Sequence, residues 1–165
     1  MKKSTALLTL FSAFVTSSAF ADWTIASGYT SYVDRDNVLD VTLGAVHTGI
    51  GYEYQFEGFR VIPELKMGIG VNDDKVGTVE ASLDYFVSLN LRGAYEISSS
   101  SRLFLQPSLN RSKTSASQLR VSENDWELGL GAGFEFDVAE QSSIEFSFDH
   151  YEDKWLYSAG IRYRF

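Results

Sequence analysis

The sequence has no cysteine, which removes disulfide bridges, thiol nucleophiles and cysteine-ligated metals together. Basic residues are scarce as well, with 14 Lys and Arg against 22 Asp and Glu and a formal charge of −8. Nucleic acid is thereby excluded as a partner class, because binding a phosphate backbone needs clustered cations. No apolar run after residue 21 is long enough to cross a bilayer as a helix. A mature chain that lives in a membrane must therefore do so as a closed barrel. At 165 residues there is room for one domain and not for two ordinary ones.

The first 21 residues have the three parts of a secretory leader. Lys2 and Lys3 supply the positive start, Ala6 to Val15 the apolar stretch, and Ala19-Phe20-Ala21 a small-x-small site. Cleavage is expected after Ala21, leaving 22–165 as the mature chain. Thr16-Ser17-Ser18 closes the apolar stretch too early for a membrane anchor, and no Cys follows for lipidation.

Past the leader the dominant signal is period two, not 3.6. From Val79 to Ile97 one face carries Val79, Ala81, Leu83, Tyr85, Val87, Leu89 and Leu91, and the other Glu80, Ser82, Asp84, Phe86, Ser88, Asn90 and Arg92. Seven further runs resemble it: Trp23–Tyr32, Val46–Phe56, Phe59–Val71, Leu103–Leu109, Trp126–Phe136, Ile144–Phe148 and Trp155–Phe165. Eight strands are thus predicted. Glu57-Gly58, Ser98–Ser101 and Ala139–Gln141 read as short turns. Val33–Val38, Asn72–Gly77, Lys113–Asp125 and Tyr151–Lys154 read as mostly longer polar loops. Short turns at one rim and longer loops at the other fit an outer-membrane barrel. Over Leu39–Ala45 the apolar phase opposes that after Val46, so a bulge or an extended first loop is expected in 33–45.

Alternation alone fits a soluble barrel equally well, and side-chain volume decides between them. An eight-stranded barrel has an interior only just wide enough for its side chains. The apolar face, with five or six bulky residues per strand (~40 in all), overfills such a lumen, whereas the Gly- and Ser-rich polar face fits it. The apolar face must point outward, to lipid. Trp23, Trp126 and Trp155, with Tyr52, Tyr54, Phe56, Phe59, Tyr95, Phe136, Tyr163 and Phe165, lie at strand ends and suit interfacial girdles. The inward face is expected to hold Glu53, Glu64, Glu80, Asp84, Glu96, Glu127, Glu135, Glu145 and Asp149 with Arg60, Lys66, Arg92, Arg162 and Arg164. Both signs are present, so an ion-pair network that plugs the lumen is expected in place of a pore.

The ending Trp155-Leu-Tyr-Ser-Ala-Gly-Ile-Arg-Tyr-Arg-Phe165 resembles the closing strand of bacterial outer-membrane proteins. With the leader and the eight runs, 22–165 resembles the small eight-stranded group of OmpX, Ail, NspA and the OmpA transmembrane domain. That resemblance implies an all-β, eight-stranded antiparallel up-and-down transmembrane barrel, integral to the bacterial outer membrane. It also implies that Tyr157, Ile161, Tyr163 and Phe165 form an assembly signal read by the barrel-assembly machinery, with periplasmic chaperones as partners in biogenesis. The outer loops look shorter than those of the adhesive members, and no peptidoglycan-binding domain is expected after Phe165.

Three functions remain at this point. The first is a structural or interaction role without catalysis, in which outer loops touch lipopolysaccharide or another partner. Its candidate contacts are Lys113, Arg120, Glu123 and Asp125; Asp34, Asp36, Asp73 and Asp74 are read as hydrophilic tips, with divalent-cation bridging as the alternative. The second is a lipid A-modifying enzyme, which needs a base beside a hydroxyl nucleophile. Only His47 and His150 could be that base at neutral pH. The deacylase spacing, His followed two residues later by Ser, fails at both, because Gly49 and Glu152 stand there. The third, a binder of hydrophobic ligands, has no residue to mark it. No catalytic, metal or cofactor residue is expected.

Overall fold

The computed structural model describes residues 23–36, 39–76, 79–116, 122–123, 126–152 and 154–165. The expected leader lies outside them. Eleven strands are present: β1 (Trp23–Asp36), β2 (Leu39–Tyr52), β3 (Tyr54–Phe56), β4 (Phe59–Asn72), β5 (Asp74–Val76), β6 (Val79–Ser98), β7 (Ser101–Ala116), β8 (Ser122–Glu123), β9 (Trp126–Ala139), β10 (Ser142–Tyr151) and β11 (Lys154–Arg164). β3, β5 and β8 are short pieces alongside the longer strands, so the staves number eight. Each pairs antiparallel with the next, β1 to β2, β4, β6, β7, β9, β10 and β11, and β11 returns to β1. Closure gives every stave ladder partners on both sides.

The alternation assigns the two faces as expected over most of the ring. Leu105 is 60% exposed and Leu128 77%, while Gln106 and Asn110 on the opposite face are 1% and 2% exposed. A soluble fold would not leave large apolar side chains bare on every stave, from Tyr29 and Ile50 to Phe146 and Ile161; a lipid-facing surface requires them. Gly at inward positions makes the room that remains. Gly133 pairs with Phe104 and Gly68 with Phe86, and a Cβ at either glycine would collide with its partner's ring.

The two prolines, Pro63 and Pro107, lie outward in mid-strand and lack the N–H that a ladder needs. The pairing of β2 with β4 stops at Gly51↔Glu64 and resumes in β3 at Tyr54↔Val61, which steps over Pro63. Pairing of β6 with β7 likewise skips from Asn90↔Ser108 to Gly93↔Leu105, over Pro107.

Four expectations need correction. Leu83 pairs with Thr114 and Tyr85 with Lys113, so Asp84 is an extra, bulged residue. The bulge reverses the phase of β6: Leu83, expected outward, is buried inside, and Asp84, expected inward, is exposed. Leu39–Ala45 contains neither a bulge against β1 nor an extended loop, since β2 pairs with β1 without a break from Asp36↔Leu39 to Trp23↔Tyr52. The irregularity falls on the other side, where Gly44 and Ala45 face Asn72 and Gly70 of β4 and Val71 is the extra residue; Leu43 keeps the phase of Ala45 and His47 and so points inward. The stretch from Lys113 is not all loop, because β7 runs on to Ala116 and β8 pairs back onto Thr114 and Ser115. Glu96, expected inside, is exposed at the short-turn rim, next to a second register shift. The other side-chain expectation for β6, Glu80, lies outside the described side chains.

Candidate functional site

The lumen has two layers. Towards the short turns it is ionic. Arg162, 0% exposed, donates to Glu64 (2.6 Å), Glu145 (3.1 Å) and Thr24 Oγ1 (3.0 Å). Arg92 reaches Glu145 at 2.6 Å and Glu135 at 3.5 Å, with its guanidinium 3.8 Å above the Phe104 ring. Arg102 and Arg164 both pair with Glu135 and Asp137, and Arg60 joins Glu53 (3.0 Å) to Glu96 (2.8 Å). Five guanidinium forks thus share six carboxylates. A buried charge is tolerated only when paired and hydrogen-bonded, and the planar five-donor fork allows one Arg to serve several carboxylates from different strands.

Towards the longer hairpins the lumen becomes apolar. Tyr32, Leu43, Ala45, Leu83, Phe86, Tyr151 and Leu156 form one cluster, with the Tyr32 and Phe86 rings 5.6 Å apart. Between the layers run neutral or singly charged contacts: Gln106 to Asp149 (2.6 Å), Ser108 to Tyr151 (2.7 Å) and Asn90 to Glu64 (3.4 Å). Lys154 and Glu127 meet at 2.5 Å near the outer end.

Both histidines are placed. His150 points outward and its ring lies 4.3 Å from that of Trp155, a girdle position. His47 is inside, where Nδ1 is 3.0 Å from Thr30 Oγ1, and Thr30 is 2.8 Å from Ser158. A base beside a hydroxyl is the right pair of groups for acyl transfer. However, His47 and Thr30 are buried in the lumen, beside Phe86, and not where an acyl chain could reach them.

The four residues of the closing strand fall in one outward series. Tyr157 and Ile161 are exposed, and the Tyr163 and Phe165 rings meet edge to face at 5.0 Å beside the N-terminal end of β1, where the Phe165 amide donates to Trp23 O. Of the loop candidates, Lys113 lies on β7, 3.4 Å from Asp84. Glu123 pairs with Thr114 through the backbone. Its side chain, like Arg120 and Asp125, lies outside the described residues. Asp73 is exposed, and no group of three potential metal-ligating side chains occurs among the described residues.

Arg102 was absent from the expected inward set, although it anchors the network. It precedes Leu103, where the recognised run begins, but its parity with Gln106, Ser108 and Asn110 would have placed it inside. Two recesses open on the surface of the described residues. One of about 580 Å³ opens at the short-turn rim between Arg60, Arg102, Asp137 and Arg164. The other, of about 710 Å³, is a shallow lipid-side groove along Ile50, Leu65, Leu91, Pro107 and Leu128.

A closed eight-stave barrel with bare leucines outside and paired ions inside is the architecture of an outer-membrane protein. Consistent with it, the outer membrane protein beta-barrel domain family matches residues 4–165. The chain belongs to that family. Members of this family reside in the bacterial outer membrane, with short turns facing the periplasm. Solved structures with the same fold include Ail of Yersinia pestis, 16% identical with a TM-score of 0.62 over 88% of this chain and 99% of Ail. Neisserial surface protein A is 13% identical with a TM-score of 0.63, over 87% and 97% of the two chains. The N-terminal barrel of Pseudomonas aeruginosa OprF is 14% identical with a TM-score of 0.59, over 87% and 98%. Among curated proteins, no sequence matches.

Proposed function

We propose that this member of the family is a non-catalytic contact barrel, exported by cleavage of residues 1–21. Its working surface is the outer rim and the lipid-facing strip beneath it, and its natural partner there is lipopolysaccharide. Tyr157, Ile161, Tyr163 and Phe165 serve as the assembly signal for the barrel-assembly machinery, after periplasmic chaperones have carried the chain. The observation that carries this reading is the filled lumen. Among the described residues an ionic layer below an apolar layer fills the narrow interior with side chains, so contact falls to the outside. Support by analogy comes from Ail of Yersinia pestis, whose structure is known in complex with the heparin analogue sucrose octasulfate. Polyanion recognition on such a scaffold suits the cationic candidates Lys113 and Arg120.

The test has two measurements. In planar bilayers the purified full chain is expected to give no steady conductance. Lipid A from cells with and without the gene is expected to have the same mass. Sustained channels, or a mass change of one acyl chain, would overturn the reading in favour of transport or of lipid A chemistry.

A further inference from the structure

Among the described Lys and Arg side chains, all but two point into the lumen. The exceptions are Arg111 and Lys113. Both belong to the outward series of β7, which reads Leu103, Leu105, Pro107, Leu109, Arg111, Lys113, while Asn110 and Ser112 between them are buried inside. On the paired strand β9 the outward apolar series from Leu128 to Val138 covers about the nine to eleven residues that a tilted strand needs to cross hydrocarbon, and Arg111 pairs with Trp126 just beyond its outer end. Arg111 and Lys113 therefore stand directly above the acyl region, at the level of the lipid headgroups. β7 is where the outward face turns cationic.

The neighbours of the pair are also unusual. Trp126 is the register partner of Arg111, and the guanidinium carbon lies 5.7 Å from its ring centroid. Tyr85 is the register partner of Lys113, and both rings are substantially exposed. The bulge that turns Asp84 outward sets its carboxylate 3.4 Å from Lys113 Nζ. Two cations on one face, two residues apart, are separated by about 7 Å along the strand. That spacing lets a guanidinium fork take two oxygens of a phosphate while the ammonium reaches a third oxygen or a second phosphate. The rings give a half-dry, half-wet flank, and Leu109 and Leu128 continue the surface down into the apolar band.

We propose that Arg111 and Lys113, flanked by Trp126 and Tyr85, clasp the phosphate of an acylated outer-leaflet glycolipid, the diphosphorylated lipid A class, with its acyl chains against Leu109 and Leu128. The inference rests on the lipopolysaccharide contact proposed above, but moves its centre from the loop to the face of a strand. Asp84 is a competing anion that weakens the clasp by holding Lys113.

The test uses the full chain in detergent, with native mass spectrometry reporting retained lipid. Wild type is expected to retain diphosphoryl lipid A about tenfold more tightly than the fully dephosphorylated form. Arg111→Gln with Lys113→Gln should abolish that preference. Asp84→Asn should strengthen it about threefold, a gain that a merely structural role for Asp84 would not produce. The Ser115 Oγ donation to Asp84 at 2.9 Å can persist to an Asn oxygen. Boiling-sensitive gel mobility checks that each variant is folded. Retention of lipid A by the double variant equal to wild type would overturn this inference and leave the broader reading standing. No retention of any lipid A by wild type would overturn both. Displacement by millimolar inorganic phosphate would assign the pair to a free anion and overturn the lipid assignment.

Discussion

The two layers of the lumen solve the same packing problem by opposite means. Near the periplasmic turns, space is filled by long charged side chains held in forks; near the outer hairpins, it is filled by Phe86, Tyr32, Leu43, Leu83 and Leu156. The ionic layer is built across the barrel, since Arg162 of β11 reaches Glu64 of β4 and Arg92 of β6 reaches Glu145 of β10. The apolar layer is close packing, with Gly68 making room for Phe86. The first fixes the geometry of the ring, because a mispaired buried charge is costly. The second fills the outer half by close packing. The layers should fail differently.

The largest effect is expected in the ionic layer. Arg162→Met leaves Glu64 and Glu145 short of a partner and should cost about 3–5 kcal/mol, measured by reversible urea unfolding in phospholipid vesicles. Arg162→Lys should recover only part of this, because a point charge cannot replace a fork. Equal stability of Arg162→Met and wild type would show that the network is decorative.

Next comes the apolar layer. Phe86→Ala opens a cavity beside Tyr32 and should cost about 3 kcal/mol, read in the same titration. The barrel should stay closed to ions, since the ionic layer below is untouched; a steady conductance in that variant would show that the apolar layer alone seals the lumen. Overpacking should cost less. Gly133→Ala drives a methyl into both the Phe104 ring and the Phe146 carbonyl oxygen and should cost about 2 kcal/mol, and Gly133→Ala, Phe104→Leu should relieve only the ring part of that penalty. The smallest effect is expected for Lys154→Met at the partly exposed outer pair with Glu127, about 1 kcal/mol or less, and it should shrink further in high salt.

The outline of this molecule was readable from the sequence because period two and side-chain volume are independent constraints that agree. Leu65, Leu89, Leu105 and Leu130 could not fit inside, and Glu64, Arg92, Glu145 and Arg162 could not face lipid. The resemblance of the closing strand pointed to the same family. What escaped was whatever composition does not mark. The Asp84 bulge inverts the phase of β6 without a Gly or Pro to announce it. In the outer half of β2 the inward face becomes apolar at Leu43 and Ala45 while Thr42 is the exposed one, so Leu43 read as misplaced where it is part of the lumen packing. Lys113-Thr-Ser-Ala reads as loop, although above the hydrocarbon a strand no longer needs an apolar face. Arg102 escapes because the apolar alternation of its strand becomes legible only from Leu103 onward. Of the candidate contacts, Lys113 alone has a described side chain, and its companion Arg111 was missed because it sits at the end of a strand and not in a loop.

The inside-out arrangement can be tested directly, because a chain without cysteine accepts single-cysteine probes cleanly. Spin labels at Leu105→Cys, Gln106→Cys, Pro107→Cys and Ser108→Cys in reconstituted vesicles should alternate in collision with oxygen. Positions 105 and 107 should be high, as in lipid, and 106 and 108 low and immobilised. The reverse order, or equal access at all four, would contradict a leucine-clad barrel with a packed polar lumen.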